Sequence, residues 1–388
     1  MVLLPIDYAV RNLGRSPLRL WLWVSGSALM VLLVLAAGAF VRGMQHSLSV
    51  SGASDRVVLI GAGSEDSIER SEIAANVGAL IAASVPGIRS VGGVPLVSAE
   101  VHMALPLKAS VAAAQESMAV VRGVTSAALL VHTPVQIVAG RLPRAGADEL
   151  MPGRMAAAKL GLPESALEIG QSLWIDERPW EIVGRFVAPG SVMESEVWTA
   201  LTDLKIAARR ETDSTVILAL GTAELADIDA FTRQRLDLEL AAMLESEYYA
   251  KLARFYAPVR AVAWGTAALI GLGGLFGGLN IMYAAFASRI REMAMLRCLG
   301  YTRGAIMLSL VQESVIAAAA GSLIGAAIGL GVLDGVAVPF SMGAFGLRVD
   351  AGALSVGLGA GLGMGLGGAI LPAYRSLKAP ITEALRAA

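Results

Sequence analysis

Four long uncharged runs decide what this chain can fold into: residues 20–41, 261–288, 314–333 and 351–374. Each meets the roughly 20 apolar residues that a helix needs to cross a hydrocarbon core ~30 Å thick. The third extends back to Gly304 if Glu313 is tolerated inside it. The composition points the same way. Only 16% of the 388 residues are charged, against about 25% in ordinary soluble domains, and mean hydropathy is +0.64. The runs predict four transmembrane helices.

Arginines orient them. Arg11, Arg15 and Arg19 precede the first run, Arg289, Arg291, Arg297 and Arg303 lie between the second and third, and Arg375, Lys378 and Arg386 follow the fourth. The segment "DGVAVPFSMGAFGLRVD" between the third and fourth carries one arginine and two aspartates. The positive-inside rule then puts both termini and the middle loop in the cytoplasm, and the long segment 42–260 outside. Near the end of the first run, "AAGAF" at 36–40 looks like a signal-peptidase site. The run is too long for a secretory h-region, and a retained anchor is expected.

The outside segment alternates strand-like and helix-like stretches, which predicts an α+β domain large enough to bury its own core. Strands are expected at 56–62, in "MAVVRGV" and "STVILAL", and in "QSLWIDERPWEIVGRFV", a hairpin turning near 176–179. Helices are expected at 71–85, 151–162 and 196–209. A polar helical stretch over 222–256 is expected to run as a stalk toward the second membrane helix.

Several chemistries are excluded or weak. The net charge of −1 gives no case for nucleic acid, and the one cysteine, Cys298, excludes an intramolecular disulfide. No GxxxxGK[ST] phosphate loop occurs. The GxG of "VVLIGAGSED" lacks a third glycine and an opening helix. His46, His102 and His132 lack metal-ligand spacing and read as surface or core residues. "DELMPGR" and "ESEYY" hold carboxylates without a partner base or nucleophile, and the scattered methionines read as core filling. No catalytic, cofactor or metal site is expected.

Glycines in the membrane runs follow a pattern. Gly321, Gly325 and Gly329 are spaced by four, as are Gly357, Gly361 and Gly365, with Gly359, Gly363 and Gly367 on a second line. Such spacing flattens one helix face and lets backbones approach. Two lines on the fourth helix suggest two neighbours, either within this chain or with one from a second protomer.

The stretch "SRIREMAMLRCLGYTRG" at 288–304 is basic and helix-forming. Projected at 100° per residue, its apolar positions surround most of the circumference, unlike the single stripe of a surface-lying helix. It reads either as a short cytoplasmic helix held between membrane helices and a second protein, or as a topology signal that binds anionic headgroups.

This stretch, continued as "AIMLSLVQES", resembles the signature of FtsX-like ABC permeases through Arg289, Arg291, Glu292, Ala294, Leu296, Arg297, Leu299, Gly300, Ile306, Glu313 and Ser314. The opening "DYAVRNLGRSPLRLW" and the closing "LPAYRSLKAPITEALRAA" resemble that family's two ends. "VRGV…VAGRLPRAGADELMPGRMAAAKLGL…WEIVGRF" resembles the MacB-type periplasmic core domain. The resemblance implies an N-terminal segment with helix one (1–43), an extracytoplasmic α+β domain with stalk (44–256), and an FtsX-like domain (257–388) with helices two to four. It implies a coupling helix near 288–303, in which Arg289, Arg291, Glu292, Leu296, Arg297 and Gly300 engage a separate ABC ATPase subunit that binds the ATP.

With no fused nucleotide-binding domain, the chain is nearer the short LolC/LolE- and DevC-like permeases than MacB itself. A bacterial inner-membrane location is implied, with a second permease chain, identical or not, and an adaptor or membrane-fusion protein as a further partner. Export of a lipid, lipoprotein, peptide or drug then competes with mechanical regulation of a cell-wall enzyme, and both with a sensor or scaffold that uses no ATPase.

Overall fold

The structure is a computed structural model that describes residue 4 and residues 6–110, 116–340 and 343–386. It divides into two compact units. One comprises Met1–Arg42, Pro258–Val336 and Leu347–Ala388, the other Gly43–Ala257 and Ala337–Gly346.

The first unit is helical. Helix one (Pro17–Ser51, whose last residues belong to the second unit), helix two (Ala257–Ala287), helix three (Arg303–Val332) and helix four (Ala351–Lys378) are each long and apolar enough to cross a membrane. They share the unit unequally. In its most apolar stretch helix one is 50% buried and helix two 22%, so helix one is the packing centre and helix two the periphery. Trp23, Val31 and Leu35 of helix one are almost wholly covered, whereas Val262, Leu269 and Phe276 of helix two are exposed. Trp23 Nε1 donates to the Ser314 carbonyl at 3.0 Å, and Ser314 Oγ donates to the Gly365 carbonyl at 2.8 Å, tying helices one, three and four together. Both helices that follow loops are capped from their own sequence. Thr302 Oγ1 accepts from Ala305 N, and an Asp350 carboxylate oxygen accepts from Ala353 N.

The second unit is built on a nine-stranded mixed sheet. Its order is Leu240–Leu244, Arg56–Gly61, Thr215–Ala219, Val97–Leu107, Ser117–Val124, Val197–Ala200, Glu149–Pro152, Arg178–Ile182 and Ser172–Ile175. Neighbours are antiparallel except for two parallel pairs, Ser117–Val124 with Val197–Ala200 and Glu149–Pro152 with Arg178–Ile182. The long strand Val97–Leu107 spans the sheet's two halves, pairing Ser98 with Ile217 at one end and Met103 with Val121 further on. Each half has its own core. Helices Val77–Ser84 and Leu225–Gln234 bring Ile81, Ile228 and Phe231 onto Leu59, Val216 and Leu218. On the other half, Leu160 and Leu204 join Val121, Trp180, Ile182 and Val197.

The expected strands at 56–62, 118–124 and 214–220 are present. The hairpin turns at Asp176 and Glu177, both at positive φ (47° and 64°), the two-residue geometry that matches strand twist. The expected helices are shorter than the sequence suggests. Over 71–85 the helix is Val77–Ser84, because Ile73 bridges to Asp213 instead. At 151–162 and 196–209 the first residues are the buried strands Glu149–Pro152 and Val197–Ala200, and only Ala156–Leu160 and Leu201–Ala207 are helical. Fully buried strands read as continuous apolar runs and so imitate helices.

The 222–256 stretch is broken. Glu239 at φ 46° follows a short turn, and Leu240–Leu244, rich in good helix formers, pairs with Arg56–Gly61 as an edge strand before helix Glu245–Phe255. Only Tyr256 separates that helix from helix two. The segment before helix four is no plain loop: Ala337–Phe340 and Gly343–Gly346 form a hairpin that belongs to the second unit.

Candidate functional site

The helical unit carries the basic stretch as a separate helix, Ile290–Cys298. It ends in a Schellman motif: Gly300 stands at φ 93°, Gly300 N donates to the Arg297 carbonyl, and Tyr301 N donates to the Leu296 carbonyl. A glycine is required there because an L side chain resists that conformation.

One side of this helix is covered. Met293 and Ala294 are buried, and Leu296 packs partly on the cluster around Phe286, Ile306 and Leu377. Arg297 Nη1 donates to the Ala379 carbonyl at 2.9 Å. The other side is open: Arg291 and Cys298 are exposed, as are Met295 and Leu299, at 52% and 75% of their surface. At positions i, i+4, i+7 and i+8 these four share one face.

The charges converge on an acid that the sequence puts at the edge of the third apolar run. Glu313 of helix three is buried. It accepts from Arg19 Nη2 at 2.9 Å, Arg289 Nη1 at 2.9 Å and Asn12 Nδ2 at 3.3 Å. Arg289 also donates from Nε to Glu292 at 3.1 Å, and Arg15 lies 3.7 Å from Glu292. Glu292 therefore faces arginines of its own chain. The short helix Ile6–Gly14, the start of helix one, the linking helix and helix three meet at this hub.

The glycine lines meet specific neighbours. A Cβ at Gly321 would fall on Ser27 Oγ and the Val24 carbonyl, at Gly325 on the Ala28 carbonyl, and at Gly329 would be 3.0 Å from Leu35 Cδ1, all in helix one. On helix four, a Cβ at Gly357 would be 2.8 Å from Leu35 Cγ, at Gly361 would fall on Ser322 Oγ, and at Gly365 would be 2.8 Å from Ala318 Cβ. These six glycines lie where helices one, three and four touch. Of the second line, Gly359 and Gly363 have open space beside them, and Gly367 faces Leu275.

The second unit contains a buried ionic chain that sequence reading missed. Arg122, in the middle of an apolar strand, donates from Nε and Nη2 to the two oxygens of Glu196, each at 2.7 Å, and from Nη1 to Glu100 at 2.9 Å. Glu100 also takes His132 Nε2 at 2.7 Å and His102 Nε2 at 3.2 Å. His132 Nδ1 lies 3.4 Å from Arg56 Nη1, and Arg56 Nε lies 2.7 Å from Glu245. The chain thus runs from Glu196 to the first turn of helix Glu245–Phe255.

Burial pushes the Glu100 carboxyl up, but His132, Arg122 and the two histidine hydrogen bonds outweigh it and hold it well below the ordinary carboxylate value. Burial and the nearby Arg122 guanidinium lower the His102 ring against the pull of Glu100. The available signal was a lone arginine inside "MAVVRGV": a charge on a buried strand needs a partner. Among the described residues no group of His, Cys, Asp and Glu is arranged to hold a metal ion.

Beside this chain the second unit holds a cavity of about 650 Å³. Its wall includes Leu48, Tyr248, Tyr249, Leu252 and Phe255, and Glu69, Arg70, Arg122 and Glu196 reach it.

The profile of the MacB-like periplasmic core domain matches residues 20–234, and that of the FtsX-like permease C-terminal matches residues 264–381. The chain is 24% identical over 319 residues to the uncharacterized ABC transporter permease YknZ of Bacillus subtilis (strain 168), covering 78% of each. Two solved structures are similar. The periplasmic region of MacB from Actinobacillus actinomycetemcomitans aligns with a TM-score of 0.38 and 10% identity over 52% of this chain and 94% of that one. The extracellular domain of the noncanonic ABC-type transporter YknZ from Gram-positive bacteria aligns with a TM-score of 0.36 and 16% identity over 48% of this chain and 99% of that one. With one profile covering more than half of the chain and the other most of the remainder, the chain belongs to the FtsX-like ABC transporter permeases that carry a MacB-like periplasmic core domain.

Proposed function

We propose that this permease is the membrane subunit of a complex in which a separate ABC ATPase binds and hydrolyses ATP. Ile290–Cys298 acts as the coupling helix, and movement of the domain between helices one and two extrudes a lipid, lipoprotein, peptide or drug. The observation that carries the reading is the split character of that helix. Met293 and Ala294 anchor it to the helical unit, while Arg291, Met295 and Leu299 stand exposed on one face. An isolated topology signal needs the arginine but not two large apolar neighbours. Full burial of such a side chain in a partner groove contributes roughly 1.5–3 kcal/mol.

In this reading Glu292, Leu296, Arg297 and Gly300 hold the helix in position, and Arg289 links it to Glu313. Both termini and the coupling helix face the cytoplasm of a bacterial inner membrane. A second permease chain completes the assembly, with an adaptor protein as a further partner, and the chain itself binds no cofactor. The test is co-purification of an ATPase encoded beside this chain, together with its permease-stimulated ATP hydrolysis. Leu299→Asp and Met295→Asp are expected to reduce both without lowering the amount of folded permease. Wild-type values for both variants would refute the coupling role.

A further inference from the structure

The cavity in the second unit is lined by residues of that unit alone. At about 650 Å³ it is the size of a small-molecule site. Its wall is largely apolar and aromatic, with Asp66, Glu69, Arg70, Arg122 and Glu196 as its charged residues. Tyr248 and Tyr249 stack edge to face at 5.4 Å, and Leu48, Leu252 and Phe255 extend the surface.

Two polar groups on the wall lack the partners that buried groups normally have. Ser47 is 4% exposed, lines the cavity, and its Oγ has no hydrogen-bond partner. Glu69 is half-buried and has no ion-pair partner among the described residues. Burial and the neighbouring Glu196 charge raise its carboxyl above the ordinary value against the pull of Arg70, so the anion is under-compensated.

The other carboxylate deep in the wall, Glu196, is fully engaged by Arg122. Asp66 and Glu69 share the wall with one uncommitted arginine, Arg70, so the cavity lacks one positive charge overall and one hydrogen-bonding group at Ser47, beside apolar and aromatic surface. Aromatic faces attract cations as well.

We propose that this cavity binds a cationic amphiphile: an apolar molecule with a single positive charge, held by Glu69 and seated against Tyr248, Tyr249, Leu252 and Phe255. The proposal concerns binding, and it stands whether or not the bound molecule is the cargo.

The test uses the full chain in phosphatidylcholine nanodiscs, with rhodamine 6G as the cationic probe read by fluorescence anisotropy and empty nanodiscs subtracted for partition into lipid. Saturable binding is expected. Glu69→Gln is expected to weaken rhodamine 6G about tenfold, as loss of a partly desolvated charge partner does, while leaving the uncharged probe Nile red nearly unchanged. Leu252→Trp, which fills the cavity, is expected to abolish both. Glu69→Gln keeps the side-chain shape and breaks no ion pair, so it remains informative if Leu252→Trp unfolds. No saturable signal above empty nanodiscs, an unchanged rhodamine 6G affinity in Glu69→Gln, or tighter binding of the anionic probe 1-anilinonaphthalene-8-sulfonate would overturn the proposal.

Discussion

Arg289 Nη1 donates to Glu313 at 2.9 Å while its Nε donates to Glu292 at 3.1 Å, so one guanidinium ties the start of the linking helix to helix three. Arg289→Ala is expected to lower stability by about 1–3 kcal/mol, the range for a hydrogen bond to a charged group whose partner is left buried. Arg289→Lys is expected to recover little, because one ammonium lacks the fork that spans two carboxylates. Thermal unfolding of the detergent-solubilised chain measures both. A lysine variant as stable as the wild type would show that charge, and not the bridging geometry, is what matters.

Helix contact predicts opposite outcomes for glycines on the two lines of helix four. Gly361→Ala places a methyl on Ser322 Oγ and is expected to destabilise, as is Gly325→Ala against the Ala28 carbonyl. Gly363→Ala meets open space and is expected to be neutral or to stabilise by about 0.5–1 kcal/mol through helix propensity. Melting temperatures of the three variants compare them directly, and equal values would remove close packing as the reason for the pattern.

Acid is expected to weaken the domain in two steps. Folding lowers the His102 ring, so the unfolded state takes up a proton first, and stability falls as pH drops below the unfolded histidine value of about 6.5. Glu100 is also lowered. Its contribution is intact above the unfolded carboxylate value of about 4.3 and disappears as pH falls toward its folded value. Glu69, raised by burial, works against the second step but does not share the first. Melting temperature against pH is expected to decline below about pH 6.5 in the wild type and to stay flatter down to about pH 5 in His102→Gln. Identical profiles would exclude His102 as the source of the first step.

Topology can be read from the single native thiol. Cys298 is exposed on the linking helix, and Ser110 lies in the domain between helices one and two. In intact spheroplasts an impermeant maleimide is expected to label Ser110→Cys, and to label Cys298 only after lysis. Labelling of Cys298 alone in intact cells would invert the proposed orientation.

The membrane helices were legible because about twenty apolar residues in a row have few other uses. Glu313 was harder. It looked like a tolerated intruder in an apolar run, yet its partners Asn12, Arg19 and Arg289 come from three separate segments, and no local window contains them all. Leu240–Leu244 misled for the complementary reason: Leu, Ala and Met favour helix, and only pairing with Arg56–Gly61 overrides that preference. Arg122 was visible as an anomaly, but its partners, Glu100 on one side and Glu196 far along the chain, were not.

The hairpin Ala337–Gly346 sets an order of events during synthesis. The main body of its unit has left the ribosome by Ala257, but the hairpin that completes it emerges only after helices two and three. At ~5–20 residues per second that interval is on the order of ten seconds. During it Tyr256, whose ring will meet Phe340 at 4.8 Å, has no hairpin to rest on. The domain therefore cannot finish folding as an autonomous nascent piece. Its last aromatic wall arrives only after two further long apolar helices have been synthesised.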